Sequence, residues 1–328
     1  MIKALYDVTD ISRFLIKDGG EASIVTWQGH PCLRLNGLAI LPDVQLSEGS
    51  IEVDIGSDDA SYCGIAFRIR DTLNYELAYA QPHTSGRWDA LQYDPVFHGC
   101  NTWQLYHGPG TQLAADVPKG EWFHLKVGFK DQQAVVQVND QAPLIIPRLA
   151  YPSSSGFVGL WCYLPAYFRN LSISGDAGMY AHLTGEIDMP EHHDDLNGLI
   201  TEWFLHDYGQ VQCDANGTLN LNRYLPLAVT EARLTRKFQL HEPAHVTLNF
   251  GFSDEISIRL DGEMVYEGEN KFQGITNTLG YVSLDKQVSR SMPAGTHTLD
   301  ILLRRTEYFG FGLRAQLAAN HCKLWPCV

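Results

Sequence analysis

Residues 75–108 read YELAYAQPHTSGRWDALQYDPVFHGCNTWQLYHG, and this stretch decides the fold class. Large side chains at Tyr75, Leu77 and Tyr79 alternate with Glu76, Ala78 and Ala80 over its first residues, and glycine and proline interrupt the runs that follow. Alternation with a period of two is typical of antiparallel strands that have one buried face and one solvated face. Aromatic, amide and basic side chains outnumber carboxylates here. We therefore expect an antiparallel sheet with a polar, aromatic-rich face.

The same alternation extends outward on both sides, from residue 49 to residue 173. It is clearest in the apolar sets Ile51-Val53-Ile55, Ile65-Phe67-Ile69 and Leu125-Val127-Phe129. The segment 176–198 is polar and lacks a strand repeat, and further strand-like runs lie between residues 232 and 317, one of them at 281–285. Within those, Asp261-Gly262 predicts a β-hairpin. Short helical turns are expected near 10–16 and 194–204.

Length and pattern together predict the domain organisation. A chain of 328 residues is too long for one sandwich of ordinary size. We predict an all-β protein of two antiparallel β-sandwich domains, spanning 1–175 and 199–328, joined by a linker at 176–198.

Charge and cysteine content limit which partners and which cellular compartment we expect. The chain has 38 acidic and 24 basic residues, a net charge of −14. Nucleic acid and anionic membrane are therefore disfavoured as partners, because a phosphate-binding face needs clustered Lys and Arg. Seven cysteines without paired spacing favour a reducing cytoplasm over a disulfide framework. The amino terminus lacks the layout of a signal peptide, and the oligomeric state stays open.

Several segments carry a resemblance to known families. In the first half they are GSIEVDI at 49–55, GIAFRIRDTLNYELAYAQPH at 64–83, DALQYDPVFHG at 89–99, WQLYHG at 103–108, GEWFHLKV at 120–127, GFVGLW at 156–161 and AYFRNLSI at 166–173. This half resembles the concanavalin A-like lectin/glucanase superfamily, in particular its laminin-G-like jelly rolls. The second half, through 252–272 and 293–317, resembles a galactose-binding-like β-sandwich. The resemblance implies jelly-roll sandwiches and a carbohydrate ligand, although both folds host unrelated activities.

A catalytic site of the glucanase kind is not expected. Active members of the resembled superfamily carry a strand motif E-x-D followed by a further Glu, because two carboxylates must flank the glycosidic bond. Here Glu52 and Asp54 supply the first half of that motif, but Gly56 and Ser57 stand where the partner would be. We interpret the pair as solvated carboxylates on the outer face of a strand and assign no catalytic residue.

Motifs for metals and cofactors are weak. His241 and His245 match H-E-x-x-H, but Pro243 lies between them and a strand pattern follows, so we predict a loop before a strand. The cluster at 191–195 lies in the expected linker. No cofactor or metal site is assigned. A structural calcium, which the resemblance allows, stays open at three places: Asp58-Asp59, Asp254 and Glu255.

The ligand face of the first sandwich is the remaining candidate. We assign Tyr75, Leu77, Tyr79, Trp103 and Leu105 to the core, so that the opposite side of these strands faces outward. Amide, guanidinium and aromatic groups suit sugar hydroxyls and pyranose C–H faces. The predicted ligand-binding residues are Arg68, Glu76, His83, Arg87, Trp88, Gln92, Gln104 and Tyr106. A plain solvated sheet face is the alternative, and a register error of one residue would exchange the two faces.

In the second domain, the resemblance points to four residues at the end of the sandwich, where similar modules often close or bind: Trp203, Glu307, Tyr308 and Phe309. Core packing is the favoured interpretation for the three aromatic residues.

Three functions remain open at the level of sequence. The favoured hypothesis is a non-catalytic carbohydrate-binding or accessory protein that recognises a saccharide on the polar face of the first sandwich. The alternatives are a glycoside hydrolase-like enzyme with a non-standard carboxylate site, drawn from Glu52, Asp54 or Glu76, and a protein-interaction scaffold.

Overall fold

The computed structural model describes residues 4–152, 154–175, 198–319 and 322–324. Its described residues form strands, turns and three single-turn 3-10 helices at Ile11–Arg13, Pro82–Thr84 and Leu221–Arg223. All strand pairings in this part of the chain are antiparallel, so the prediction of an all-β, antiparallel sandwich fold is confirmed. In the described ranges no helix has the length and apolar character that crossing a bilayer requires.

The described residues divide into two compact units. Unit 1 comprises 4–96 and 106–175, and unit 2 comprises 97–105 and 198–324. Sequence analysis did not anticipate that Phe97–Leu105 belongs to the second unit. The expected linker, 176–198, lies outside the described residues except for Gly198.

Unit 1 contains thirteen strands in one hydrogen-bonded network. They are β1 Ala4–Tyr6, β2 Leu15–Ile16, β3 Glu21–Trp27, β4 His30–Leu46, β5 Gly49–Gly56, β6 Tyr62–Asp71, β7 Asn74–Ala80, β8 Leu91–Tyr93, β9 Gln112–Leu113, β10 Phe123–Lys130, β11 Gln133–Val138, β12 Leu144–Ile146 and β13 Gly156–Ser174. The main path runs β12-β11-β10-β5-β13-β6-β7-β8-β9.

The two longest strands of unit 1 each take part in more than one pairing. Residues 157–163 of β13 pair with β6, and residues 167–174 pair with β5. Strand β4 pairs with β13 along both parts, and the register shifts between Cys162 and Ala166. Such irregularities bend a strand and increase its twist. The sheet can therefore fold over a single core, which takes its residues from β5, β6, β10, β11 and β13.

Strands β6 and β7 are buried on both faces. Ala78 and Ala80 of β7 face the main core, whereas Tyr75, Leu77 and Tyr79 form a second apolar cluster with residues of β4 and β6. The core assignment of those three residues is confirmed. The expectation that the opposite side of β7 is solvated is wrong, because that side is covered by the main core.

A bulge in β6 reverses the predicted alternation. Ile65 and Phe67 face the main core as expected, but Arg68 has φ +47° and the register with β7 shifts after Phe67. An inserted residue moves every following side chain to the other face. Ile69 consequently lies in the second cluster, and the Arg68 side chain is fully buried over the ring of Phe129, a residue of the main core.

Unit 2 is a second sandwich. Its strands are β14 Glu202–Leu205, β15 Gly209–Gln212, β16 Thr218–Asn220, β17 Glu231–Leu240, β18 Ala244–Ser253, β19 Glu255–Leu260, β20 Glu263–Glu269, β21 Lys286–Met292, β22 Gly295–Arg304, β23 Gly312–Ala318 and β24 Cys322–Leu324. One sheet runs β15-β14-β17-β22-β19-β20 with β24 beside β17, and the other runs β16-β23-β18-β21. Inward residues of both sheets form a single core.

Most strand predictions for this unit hold. The Asp261-Gly262 hairpin joins β19 to β20, with both residues at positive φ as such a turn needs. The segment at 281–285 is not a strand, and β21 begins only at Lys286. The described part of 194–204 contains β14 rather than a helical turn, whereas the turn near 10–16 is present as a 3-10 helix.

Candidate functional site

A row of aromatic rings lies across three strands of unit 1, on the face opposite the main core. Its members in order are Tyr163, Tyr62, Tyr79 and Trp161, with ring centroids 5.8, 6.0 and 5.5 Å apart. We call this set the aromatic row. Tyr163 is 62% exposed and Tyr79 is buried, so the row runs from the interior to the surface.

Strand pairing explains how the row is assembled. Tyr163 of β13 stands opposite Tyr62 of β6, and Gly64 stands between Trp161 on one side and Tyr79 on the other. A Cβ atom at Gly64 would lie 2.0 Å from the carbonyl oxygen of Ala78. Glycine at this position therefore allows β7 to approach closely, so that rings from the two outer strands meet over the middle one.

Polar groups lie next to the aromatic row. The Gln92 side-chain oxygen accepts from the Tyr79 hydroxyl at 3.1 Å and from Gln81 Nε2 at 3.2 Å, and Gln81 Nε2 also donates to the Asp89 carbonyl at 2.6 Å. Within the described ranges, Gln92 Nε2 and Asp89 Oδ1 are buried and make no hydrogen bond. Buried polar atoms without partners are unusual and often mark a ligand or water position.

The residues that follow β7 complete this surface. His83 lies 4.8 Å from the Tyr62 ring, and its Nδ1 is 3.1 Å from the Ser61 carbonyl oxygen. Burial lowers the pKa of His83, so the ring is neutral at pH 7. Since a carbonyl oxygen only accepts, Nδ1 carries the proton and Nε2 remains an acceptor. Arg87 Nε is 3.6 Å from Asp89 Oδ1, and Trp88 is 42% exposed.

The electrostatics show that these groups are close together. Burial, together with the negative charge of Asp89 and the neighbouring Tyr163, raises the pKa of Tyr62. Tyr62 therefore stays a neutral phenol, able to donate and to accept. The site combines flat rings, the Nε2 acceptor of His83, the Arg87–Asp89 ion pair and the side-chain amide of Gln92. We call it the Tyr62 site: Tyr62, Tyr163, His83, Arg87, Asp89 and Gln92.

Two of the predicted ligand-binding residues lie inside unit 1. Arg68 donates through Nε and Nη2 to the Ser47 carbonyl oxygen at 3.2 and 2.7 Å. Glu76 accepts from the Tyr93 hydroxyl at 2.6 Å and from the Tyr151 N–H at 3.0 Å. The prediction that these two residues face outward is wrong, since the bulge turns Arg68 inward and Glu76 lies on the main-core side of β7.

The predicted strand at 103–106 is also wrong. These residues form a turn in which the Leu105 N–H donates to the Thr102 carbonyl. Gln104 is fully buried in unit 2, where it bonds to Ser253, Leu279 and Glu307. Tyr106 is half-buried in unit 1, with its ring 6.3 Å from Tyr93. Neither residue joins His83, Arg87, Trp88 and Gln92.

Glu52 and Asp54 meet a histidine that sequence analysis did not connect to them. His124 of β10 is 2.6 Å from Asp54 Oδ1 through Nδ1 and 3.2 Å from Glu52 Oε2 through Nε2. Arg169 and Asn170 bond the other Asp54 oxygen at 3.2 and 2.7 Å. These partners lower the pKa of Asp54 against the effect of burial, and hydrogen bonds to the two carboxylates raise the pKa of His124 to about 9. The carboxylates are ion-paired rather than freely solvated.

The carboxylates of Asp58, Glu255 and Asp254, which were considered as calcium ligands, accept hydrogen bonds from other groups of the protein. Asp58 accepts from the Trp27 indole and the Tyr167 hydroxyl, both at 2.8 Å, and Glu255 accepts from Lys271 at 2.6 Å. Asp254 accepts from Ser253, Thr306 and Glu307. Within the described ranges no group of three or more His, Cys, Asp and Glu residues is placed to hold a metal ion.

Two histidine-containing motifs remain from the sequence analysis, the H-E-x-x-H match at 241–245 and the cluster at 191–195. His241 and Glu242 lie in the loop between β17 and β18, and His245 lies on β18, as predicted. The cluster at 191–195 lies outside the described residues. In unit 2, Trp203 is buried in the core as expected, whereas Tyr308 is 71% exposed and the expectation of core packing is wrong for it.

Comparisons with known proteins relate the chain to β-sandwich structures. Neither a protein-family model nor a curated protein matches it. Among solved structures, the carbohydrate-binding module CBM66 from Bacillus subtilis is 18% identical, at a TM-score of 0.36, over 48% of this chain and 96% of the module. A protein of unknown function with a galectin-like fold from Bacillus subtilis is 11% identical, at 0.37, over 52% and 96%. Mouse laminin α1 chain domains LG4-5 are 11% identical, at a TM-score of 0.30, over 95% of this chain and 91% of that chain.

All three TM-scores are below 0.4. The functional argument therefore rests on the contacts within this chain alone. Sequence analysis found the loop residues His83, Arg87 and Trp88 together with Gln92, but it missed Tyr62, Tyr163 and Asp89. Tyr62 and Tyr163 are about a hundred positions apart and become neighbours only through the pairing of β6 with β13. Of these three missed residues, only Asp89 could have been found from the local sequence, because it directly follows Arg87 and Trp88.

Proposed function

We propose that unit 1 is a non-catalytic carbohydrate-binding module that takes a saccharide at the Tyr62 site. The observation that carries the proposal is the exposed ring of Tyr163, 5.8 Å from the Tyr62 ring, with His83 4.8 Å from Tyr62 on its other side and the Arg87–Asp89 pair in the loop that follows His83. Pyranose C–H faces stack on aromatic rings, and sugar hydroxyls both donate and accept, so one sugar can satisfy both kinds of group. Arg87 and His83 add a donor and an acceptor at the rim.

Hydrolysis receives less support from the same unit. A glycosidase needs a carboxylic acid whose pKa is raised so that it can protonate the leaving group. Asp54 has the opposite shift, and His124 is hydrogen-bonded to both Asp54 and Glu52. Glu76 is buried and hydrogen-bonded to Tyr93 and Tyr151. These arrangements favour binding over catalysis.

Isothermal titration with a panel of neutral mono- and oligosaccharides tests the proposal. We expect a Kd at or below about 1 mM for at least one sugar, weakened about tenfold or more by Tyr163→Ala and by Asp89→Asn. Tyr208→Ala, at another exposed tyrosine, is the matched control and is expected to change nothing. Absence of saccharide binding, or equal binding by all variants, would refute the Tyr62 site.

A further inference from the structure

Ser61 lies directly before Tyr62, the first residue of β6, and its two polar groups bond to two distant segments of unit 1. Its hydroxyl donates to the Leu164 carbonyl oxygen at 3.2 Å, and its own carbonyl oxygen accepts from His83 Nδ1 at 3.1 Å. Leu164 directly follows Tyr163, and the rings of Tyr163 and His83 are both exposed and both contact Tyr62. Ser61 itself is fully buried. One buried residue thus bonds beside both exposed rings of the Tyr62 site.

The turn that carries Tyr163 departs from regular strand pairing. The register between β13 and β4 shifts between Cys162 and Ala166, so the residues between them bulge out of that ladder. One of them, Leu164, has φ +67°, a conformation that costs free energy for a residue with a Cβ atom and persists only where neighbouring contacts fix it. The Tyr163 ring is exposed, so core packing does not fix it either. Besides backbone pairing with β6, the hydroxyl of Ser61 holds this turn.

His83 is the second ring that Ser61 fixes. It lies in the single-turn helix Pro82–Thr84 and is exposed, whereas the other two residues of that helix are buried. Since a carbonyl oxygen only accepts, the bond to Ser61 keeps the proton on Nδ1 and sets the orientation of the imidazole. The ring meets that of Tyr62 at 4.8 Å, with an interplanar angle of 67°. A ring that is already ordered loses less conformational entropy when a ligand binds.

Removal of the Ser61 hydroxyl should affect binding more than folding. Leu164 is 37% exposed, so water can replace the hydroxyl as the donor to its carbonyl oxygen. The hydroxyl is also within hydrogen-bonding reach of the Cys63 thiol, and that thiol donates to the Ala80 carbonyl oxygen at 3.7 Å. Both groups therefore keep a partner when the hydroxyl is lost. The turn that carries Tyr163, however, gains freedom.

We propose that Ser61 is a positioning residue of the Tyr62 site, which fixes Tyr163 and His83 beside Tyr62 and so raises the affinity for the ligand. Because the role concerns the site of the proposed function, it rests on that function. Ser61 is fully buried and acts without contact to the ligand. When a side chain has to be ordered on binding instead of beforehand, affinity falls by about three- to tenfold.

Two measurements on the full chain test this role. In the free protein, NMR relaxation of the Tyr163 and Leu164 backbone amides should show more motion in Ser61→Ala and none added in Ser57→Ala. Ser57 is the matched control, because it is a fully buried serine of the same β5–β6 connection whose hydroxyl makes no hydrogen bond within the described ranges. Calorimetric titration with the saccharide that binds the natural chain most tightly should show Ser61→Ala weakened about three- to tenfold. Ser57→Ala, and Ser61→Thr, which keeps the hydroxyl, should bind as the natural chain does.

A double-mutant cycle separates positioning from a general loss of stability. In the Tyr163→Ala background, Ser61→Ala should weaken binding no further, because the ring that the hydroxyl positions is already gone.

An additive loss would overturn the proposal, as would equal binding by Ser61→Ala and the natural chain, or a His83 ring whose NMR signals place the proton on Nε2. If no saccharide binds the natural chain, the proposed function fails and the effect on affinity falls with it. Unchanged relaxation of the Tyr163 turn in Ser61→Ala refutes the positioning role by itself.

Discussion

At the scale of single residues, the stability of unit 1 depends on carboxylates that sequence analysis placed in solvent: the pair Glu52 and Asp54, and Glu76. His124 lies between Glu52 and Asp54, and Glu76 lies beside the main core. Both are compensated by specific partners rather than by water. Their removal should therefore affect folding more than binding, which distinguishes them from the residues of the Tyr62 site.

His124 makes the stability of unit 1 depend on pH. Its pKa rises to about 9 on folding from an ordinary value of 6.5, so its stabilisation is complete below pH 6.5 and is lost as the pH rises through 9. Allowing for solvent screening of a partly exposed pair, we expect a loss of about 1–2 kcal/mol. Urea unfolding from pH 6 to 10 measures it.

His124→Gln is expected to abolish that pH dependence, and His30→Gln, at an exposed histidine of the same unit, to preserve it. A natural chain whose unfolding free energy is constant between pH 6.5 and 9.5 would contradict the assignment. The lowered pKa of Asp54 makes stability depend on pH in the acid range as well. Its contribution is complete above the ordinary pKa of 3.8 and is lost as the pH falls further and the carboxylate is protonated.

Glu76 is expected to be needed for folding rather than for ligand contact. Glu76→Ala leaves the Tyr93 hydroxyl and the Tyr151 N–H buried without their acceptor, at a cost of about 2–4 kcal/mol. Glu76→Gln keeps an oxygen acceptor and should cost less. Chemical denaturation compares both with Glu48→Ala, at an exposed glutamate; equal stability of all three variants would disprove this role.

At the scale of elements, Phe97–Leu105 is the piece of chain whose position matters most. Its Gln104 side chain bonds to three groups of unit 2, its His98 ring nitrogen lies 2.7 Å from the Asn222 carbonyl oxygen, and its Asn101 forms a bridge with Phe309. Because Gln104 is fully buried, each of its polar atoms needs these partners. The segment is a structural part of the second sandwich.

Gln104→Leu keeps the size of the side chain but removes its hydrogen bonds to Ser253, Leu279 and Glu307. The buried Ser253 and the half-buried Leu279 and Glu307 then each lose one partner, and we expect a loss of about 2–3 kcal/mol. Thermal or urea unfolding measures it. Gln45→Ala, at an exposed glutamine of β4, serves as control and should stay within about 0.5 kcal/mol of the natural chain. An unchanged midpoint for Gln104→Leu would exclude this role.

At the scale of the whole molecule, each unit has its own hydrophobic core, and the chain passes into unit 2 at Phe97–Leu105 before completing unit 1. The second sandwich is therefore discontinuous in sequence. The residues after 198 contain its strands but lack Gln104, Trp103 and the other groups of that segment. Its stability should depend on a stretch that sequence analysis assigned to the first domain.

Replacing Phe97–Leu105 with nine Gly and Ser residues tests this dependence. We expect faster hydrogen exchange in β16, β18 and β23, because Leu105 packs against Gly312 and Gln104 bonds to Ser253. Peptides from β10 and β11 provide the internal reference and should exchange as before. Equal protection of β18 and β23 in both proteins would show that unit 2 does not need the segment.

Alternation along the sequence by itself determined the all-β class, most strands and the Asp261-Gly262 turn, because a period of two follows from local backbone geometry. It also showed that Tyr75, Leu77 and Tyr79 share one face. Only the tertiary structure decided what covers each face, since the bulge at Arg68 reverses the alternation and packing buries β7 on both sides. The Tyr62 site likewise depends on the pairing of distant strands, and long-range pairing leaves no trace in local spacing.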